Sequence, residues 1–442
     1  MFKKFRRAIA GTTSVAVVAG MVATGAVTGV VATATPAAAA IPTPGDNQAI
    51  ISVKVGGVRP TQDATPTGRS GVKLELFNDN SGSVGTSTGL LCTSDSSGDC
   101  NFTVDQAGLN KRYWVRLAAN NPWVGEGSLV TGGTQNGVPA FELTRYQFRT
   151  PTVVGGQTYE STKTGSNGFM RTANPQDGSN EYVRNVSSGV WQSSLSNPAF
   201  PPKCGIKVAL VLDLSGSVSP FLPQLKTAAQ TFVNSLVGTP SQVAGYTFAA
   251  NAPRAGTTNL GLTSVATATG PDSAATVNTW ISGLSSGGGT NWDRGMFQVA
   301  ASSDQYDVAV VITDGNPTFY ANEQGPGDMT RFIEMENSVF SANAIKNKNT
   351  RVIAVGVGDG IDGNPANLKA ISGTVKFEEN VTPPETADFF QTTDFEEAGK
   401  ALKALAESSC QGSINVFKKV LPWNGTGLNL NPPVILVGGA AR

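Results

Sequence analysis

The sequence predicts a multidomain chain in which an antiparallel β-sandwich precedes an α/β domain with a doubly wound parallel sheet. In residues 49–150, apolar and polar residues alternate over short stretches, as at residues 51–55, and Gly- and Asn-rich turns separate these stretches. Such alternation is typical of half-buried antiparallel strands. After Cys204 the pattern changes to long apolar runs such as residues 206–212, which indicate parallel strands buried on both faces.

Helical patterns alternate with these apolar runs along the second domain. We expect helices at residues 220–236, 274–284, 292–301, 331–346 and 395–407, and further strands at residues 243–248, 307–313 and 351–357. Strands that alternate with helices favour a parallel sheet with helices on both faces. In such a sheet, ligands bind beyond the carboxyl ends of the strands, so functional side chains are expected there.

The N-terminus has the pattern of an export signal. Four basic residues between positions 3 and 7 precede a long stretch rich in Ala, Val, Gly and Thr, and residues 37–40 offer a cleavage site near Ala40. A transmembrane anchor is the alternative, although the Gly and Thr content and the alanine site favour cleavage. We therefore expect a secreted or cell-surface protein that meets a membrane only through export or anchoring.

Composition and periodicity divide the chain into six segments. They are a signal peptide (1–40), a linker (41–48), the β-sandwich (49–150), an irregular or β-rich connector (151–203), the α/β domain (204–410) and the start of a truncated sandwich (411–442). The last segment has only about thirty residues, too few for a complete sandwich domain.

The composition excludes several classes of function. Acidic and basic residues balance at 32 each, and charged residues make up 14% of the chain, so there is no basic surface for nucleic acid. The chain has no histidine, which excludes Ser-His-Asp and Cys-His nucleophiles and zinc sites that need imidazole. Since the commonest general base is missing, we expect a protein that is not an enzyme.

The four cysteines fit an exported protein, because disulfides persist outside the cytoplasm. Three pairings are possible. Their positions favour Cys92–Cys100, which would close a hairpin, and Cys204–Cys410, which would join the two ends of the α/β domain.

Three loops are expected to bring oxygen ligands to one edge of the parallel sheet. Asp213, Ser215 and Ser217 follow the first buried strand, Thr290 follows a glycine run, and Asp314 follows the strand at residues 307–313. The Asp/Ser loop alone could be an ordinary helix cap. Together, the two carboxylates and three hydroxyls suit Mg²⁺, with Mn²⁺ or Ca²⁺ as alternatives.

This order of motifs resembles the metal-ion-dependent adhesion site of von Willebrand factor A domains. The resemblance covers residues 204–410 and implies that Ser215, Ser217 and Thr290 bind the metal directly, while Asp213 and Asp314 act largely through water. It also implies that a carboxylate of a protein or other macromolecular ligand completes the coordination.

The whole chain resembles tip adhesins of Gram-positive, in particular actinobacterial, pili, and residues 71–102 resemble prealbumin-like B-type modules of surface adhesins. The resemblance implies a secreted, cell-wall-associated adhesin. The alternative is a structural pilus or cell-wall subunit whose A-type domain serves assembly with other pilus subunits. In B-type modules a buried lysine forms an isopeptide bond, and Lys418 is in phase with Ile414 and Val416 for such a role, although an ordinary solvated lysine fits equally well.

Overall fold

The computed structural model describes residues 40–119, 127–135, 138–171, 186–361 and 364–408. The expected export signal, apart from Ala40, lies outside these residues, as do Cys410, Lys418 and the expected C-terminal sandwich segment. Within the described ranges, no helix has the length and apolar character needed to cross a membrane.

The first part of the chain forms a β-sandwich and an additional hairpin. Its strands are β1 (Gln48–Gly56), β2 (Lys73–Asn80), β3 (Ser83–Thr93), β4 (Asp99–Asp105), β5 (Tyr113–Leu117), β6 (Ser128–Gln135), β7 (Val138–Arg145), β8 (Phe148–Arg149), β9 (Thr158–Glu160) and β10 (Val190–Gln192). One sheet of the sandwich has the order β10-β1-β4, and the other has the order β3-β2-β5-β8. Strands β6 and β7 form the additional hairpin. Alternate residues such as Ile51 and Val53 of β1 and Leu74 of β2 are fully buried in the common core.

The sandwich is not purely antiparallel, which differs from the expectation. Strands β9 and β10 both pair with β1 in parallel. They come from residues 151–203, and a parallel pair needs a long crossover that only a distant segment can supply. Residues 151–203 therefore contribute to the first sheet of the sandwich.

The disulfide between Cys92 and Cys100 joins the two sheets of the sandwich. Cys92 lies on β3 and Cys100 lies on β4, with their Cα atoms 5.4 Å apart. These strands belong to different sheets, so the bond does not close a single hairpin as expected. In the intervening turn, the Asp95 carboxylate accepts hydrogen bonds from the amides of Ser97 and Asp99 at 2.8 and 2.9 Å, which fits an ordinary turn.

The second part of the chain is a three-layered α/β domain. Its strands are β11 (Lys207–Asp213), β12 (Gln242–Phe248), β13 (Leu260–Ser264), β14 (Val308–Gly315), β16 (Arg351–Gly360) and β17 (Phe389–Thr392), and a short strand β15 (Met329–Thr330) lies outside this sheet. Its helices are α1 (Leu222–Ser235), α2 (Ala274–Ser282), α3 (Trp292–Ala301), α4 (Phe332–Lys346), α5 (Ala366–Ile371) and α6 (Phe395–Ser408).

The sheet of this domain has the order β13-β12-β11-β14-β16-β17. Neighbouring strands from β12 to β17 are parallel, as expected, and only the edge strand β13 is antiparallel. Helices α1, α2 and α6 cover one face of the sheet, and α3, α4 and α5 cover the other. The domain therefore has the doubly wound arrangement with one antiparallel edge.

The core under α3, α4 and α5 is continuous with the core of the sandwich. Strand β15 pairs with β6. The side chain of Asn367 on α5 binds both backbone groups of Val130 at 2.9 Å, and Asn343 on α4 donates to the carbonyl oxygen of Gly57. Apolar contacts, strand pairing and buried hydrogen bonds thus join the sandwich and the β6–β7 hairpin to this face of the α/β domain.

Candidate metal centre

Two carboxylates lie side by side at the carboxyl edge of the parallel sheet. Asp213 ends β11, and Asp314 lies near the end of β14, which pairs with β11 in register through Leu212 and Ile312. The Thr313 hydroxyl donates to Asp213 Oδ2 at 2.6 Å, which fixes that carboxylate. Two adjacent parallel strands therefore position both acids, as the sequence predicted.

The loop after β11 directs its serine hydroxyls towards the same point. The Ser215 amide donates to Asp213 Oδ1 at 2.8 Å, so the loop turns back over the carboxylate. The hydroxyl oxygens of Ser215 and Ser217 are 3.1 Å apart, and Ser217 Oγ donates to Asp314 Oδ1 at 2.9 Å. Asp213 and Ser215 are buried, whereas Ser217 is exposed, so the cluster opens to solvent at Ser217.

The loop that carries Thr290 is attached to this first loop by backbone hydrogen bonds. The Gly287 amide donates to the Leu214 carbonyl at 2.8 Å, and the Gly216 amide donates to the Gly288 carbonyl at 2.7 Å. A Cβ atom on Gly216 would lie 3.2 Å from that carbonyl oxygen, so the close approach favours glycine. Through these contacts Thr290, which is 6% exposed, lies on a loop bonded to the Asp/Ser loop.

A third segment holds the Thr290 backbone, and no pattern in the sequence indicated it. The amides of Thr318 and Phe319 donate to the Thr290 carbonyl at 2.8 and 2.9 Å, and the Thr290 amide donates to Thr318 Oγ1 at 3.2 Å. Asn291 caps helix α3 by accepting a hydrogen bond from the Arg294 amide. Thr290 is therefore fixed on both sides, by residues 318–319 and by the start of α3.

The electrostatics of the cluster disfavour two charged carboxylates without a cation beside them. Burial, together with the neighbouring charge of Asp314, raises the pKa of Asp213 to about 7. Burial also raises the pKa of Asp314, against the effect of its hydrogen bond from Ser217. A cation at this position would offset both the burial and the mutual repulsion of the two acids.

The donor set fits a small, hard cation. Two carboxylates and three hydroxyls supply only oxygen, which is what Mg²⁺ takes in proteins. In the part of the chain that the structure describes, no group of three or more His, Cys, Asp or Glu side chains is arranged to hold a metal. Ligation here would therefore depend on the neutral hydroxyls of Ser215, Ser217 and Thr290.

The family comparison decides what this part of the chain is. The family described as von Willebrand factor type A domain matches residues 207–404, the same region that carries the sheet and the site. Residues 207–404 form a von Willebrand factor type A domain, called the A domain below. The A domain thus includes every strand that bears a predicted metal ligand.

Several solved structures are similar to part of this chain. The pilus adhesin SpaC from Lactobacillus rhamnosus GG is 17% identical, with a TM-score of 0.36, and the match covers 48% of this chain and 31% of that one. The vWF domain of the type V pili tip protein Mfa5 from Porphyromonas gingivalis is 13% identical, with a TM-score of 0.37 and coverage of 49% and 99%. Proximal thread matrix protein 1 from the mussel byssus is 20% identical, with a TM-score of 0.35 and coverage of 48% of each chain. The present chain thus spans about a third of the length of SpaC. A comparison with curated proteins found no match.

Proposed function

We propose that this protein is a secreted surface adhesin that binds a macromolecular ligand through a divalent metal ion in its A domain. The observation that carries the proposal is the convergence of Asp213, Ser215, Ser217 and Asp314 in one hydrogen-bonded cluster, with the Thr290 loop bonded beside it. Mg²⁺ is the favoured ion, and Mn²⁺ or Ca²⁺ could replace it.

In this proposal Ser215, Ser217 and Thr290 hold the ion directly, and Asp213 and Asp314 orient bound water and the hydroxyls. Because hydroxyls are neutral, a bound ion would keep much of its positive charge and attract a Glu or Asp carboxylate of the partner. The exposed position of Ser217 supports access from solvent. With no histidine in the chain as a general base, we propose binding rather than catalysis.

The wider role follows from the expected export signal and the resemblance to Gram-positive pilus-tip adhesins. We place the protein on the cell surface, in the cell wall or in a pilus, with the prealbumin-like sandwich as a stalk module. The strand pairing between β6 and β15 favours a second candidate, a structural pilus or cell-wall subunit, because it joins the A domain to the β6–β7 hairpin of the first part of the chain. In that case the A domain would bind another subunit.

The test compares two serines of the same loop. Ser217→Ala removes a proposed ligand and should weaken Mg²⁺ binding, measured by titration calorimetry, by at least the roughly 10-fold that is lost with a group that only orients a ligand. Ser219→Ala is the matched control, since Ser219 is also exposed but bonds to Ser286 Oγ outside the cluster, and it should bind Mg²⁺ like the wild type.

Adhesion is tested with beads that carry the protein on surfaces coated with serum proteins. Retention of the beads should require Mg²⁺ and fall to background in EDTA, with Ser217→Ala, and on coats whose carboxyl groups have been amidated. Equal retention in EDTA and in Mg²⁺ would contradict the proposal. Mg²⁺-dependent pairing of the protein with itself, seen by ultracentrifugation, would favour the assembly role.

A further inference from the structure

A buried arginine of the β-sandwich reaches into the A domain beside the Thr290 loop. Arg59 follows β1, is 5% exposed, and its Nη1 donates to Asp293 Oδ1 at 2.6 Å. Its Nη2 donates to Asn337 Oδ1 on α4. The ion pair is sealed from solvent, because the side chains of Arg59 and Asp293 are 4% and 0% exposed. A buried carboxylate that loses its cation is strongly disfavoured, so Asp293 depends on a residue of the other domain.

Asp293 also binds the segment that follows Asp314. Its Oδ2 accepts the Ala321 amide at 2.8 Å, and its Oδ1 also accepts the Ser341 hydroxyl. The Ala321 carbonyl accepts Asn291 Nδ2 at 3.1 Å and Arg294 Nε at 2.8 Å. Ala321 has φ 44°, a left-handed conformation that a non-glycine residue keeps only when its surroundings hold it.

The same segment holds the Thr290 backbone two residues earlier, through the amides of Thr318 and Phe319. A continuous path of hydrogen bonds and covalent backbone therefore runs from Arg59 through Asp293 and residues 318–321 to the proposed metal ligand Thr290. The loop that carries Arg59 also makes a second contact with the A domain, and this contact is exposed to solvent. Asp63 pairs with Arg294 at 3.0 Å but is 65% exposed, so water and salt screen it.

We propose that Arg59 is a positioning residue for the metal site, through which the β-sandwich sets the Thr290 loop of the A domain. This inference rests on the proposed function, since it assigns a role in metal binding. It predicts that the sandwich and the site are coupled through one buried ion pair rather than through the general stability of the sandwich.

The test uses Arg59→Met in the full chain, with Arg149→Met as the matched control. Arg149 forms a comparably buried ion pair with Asp79 inside the sandwich, so the control loses the same kind of interaction far from Asp293. Asp63→Ala is a second control, because it breaks the exposed contact of the same loop. The readouts are Mn²⁺ affinity by titration calorimetry and hydrogen exchange of residues 318–321 in metal-free protein.

Arg59→Met should weaken Mn²⁺ binding about tenfold or more, which is the range for groups that orient metal ligands. Protection of residues 318–321 from exchange should fall by a similar factor, while both controls keep wild-type values. If Arg59→Met does not fold, Arg59→Lys should give smaller losses of the same two quantities, because it keeps the charge but cannot make both contacts.

Unchanged exchange and affinity in a folded Arg59 variant would overturn the inference, as would equal losses in Arg149→Met. The proposed function fails separately, if the wild type binds no Mn²⁺. The exchange measurement in metal-free protein still decides the inference in that event.

Discussion

At the scale of single residues, Asp213 shows the conflict between stability and binding. Apolar residues flank it in sequence, and its carboxylate is fully buried beside Asp314. The sequence predicted this position because a carboxylate directly after a buried parallel strand must lie at the carboxyl edge of the sheet. It could not predict Thr318, whose hydroxyl and amide both bind the Thr290 backbone, because that contact depends on the path of a loop.

Replacing Asp213 with Asn should have opposite effects with and without metal. Asn keeps a side-chain oxygen for the Ser215 amide but removes a charge that burial and Asp314 disfavour. In chelator at pH 8, where the Asp213 carboxylate is mostly charged, Asp213→Asn should be more stable than the wild type by about 1–3 kcal/mol. Mg²⁺ at a hundred times the dissociation constant should stabilise only the wild type, by about 2.7 kcal/mol.

Urea unfolding in chelator and in Mg²⁺ measures both effects. Asp272→Ala, which removes an exposed carboxylate of the A domain, is the control and should gain the same stability from Mg²⁺ as the wild type. The interpretation would be wrong if Asp213→Asn gained as much from Mg²⁺ as the wild type.

At the scale of elements, helix α4 shows what sequence patterns could not reveal. The sequence predicted a helix at residues 331–346, and the structure has Phe332–Lys346. Its buried residues lie on all sides and include Glu336 and Asn343, because the sheet covers one face and the sandwich covers another. Polar and charged residues of a helix usually face solvent, so the sequence alone does not indicate that Glu336 and Asn343 are buried. The partners of these side chains, such as Tyr146 and Ser187 for Glu336, lie at least 148 residues away in the sequence.

Glu336 should make the stability of the protein depend on pH. Burial raises its pKa although Tyr146, Ser187 and the Ser188 amide donate hydrogen bonds to it. Because the folded state prefers the protonated form, the contribution of Glu336 to the free energy of unfolding is fully present below its unfolded pKa of about 4.3. It is lost as the pH rises through the raised folded value. Relative to Glu336→Gln, the wild type should lose free energy of unfolding between pH 4 and neutral pH.

Urea unfolding in chelator at several pH values measures that difference. The exposed Glu396→Gln on α6 is the matched control, and its difference from the wild type should stay flat. A constant difference between the wild type and Glu336→Gln across this pH range would contradict the expected role of Glu336.

At the scale of the whole molecule, the sequence predicted two kinds of domain but not how they join. The alternating pattern near Ile51 and the apolar run at residues 206–212 each indicate a local fold, because the repeat of buried apolar residues along one strand is visible in the sequence. The contacts between the parts have no such period. Arg59 meets Asp293 across 234 residues, and β15 pairs with β6 in a sheet that neither domain pattern predicted.

The sandwich and the A domain should therefore unfold together. Ile51→Ala removes a fully buried side chain of the sandwich and should cost about 2–5 kcal/mol. Because the core is continuous under α3 and α4, this variant should lower the melting temperature of the A domain as well. Scanning calorimetry should show a single transition that moves to lower temperature in Ile51→Ala and to higher temperature on addition of Mg²⁺.

Leu91→Ala on the exposed edge of β3 is the control and should change the stability by less than about 0.5 kcal/mol. Two separate transitions, of which Ile51→Ala moves one and Mg²⁺ moves the other, would show that the domains fold independently despite their shared core.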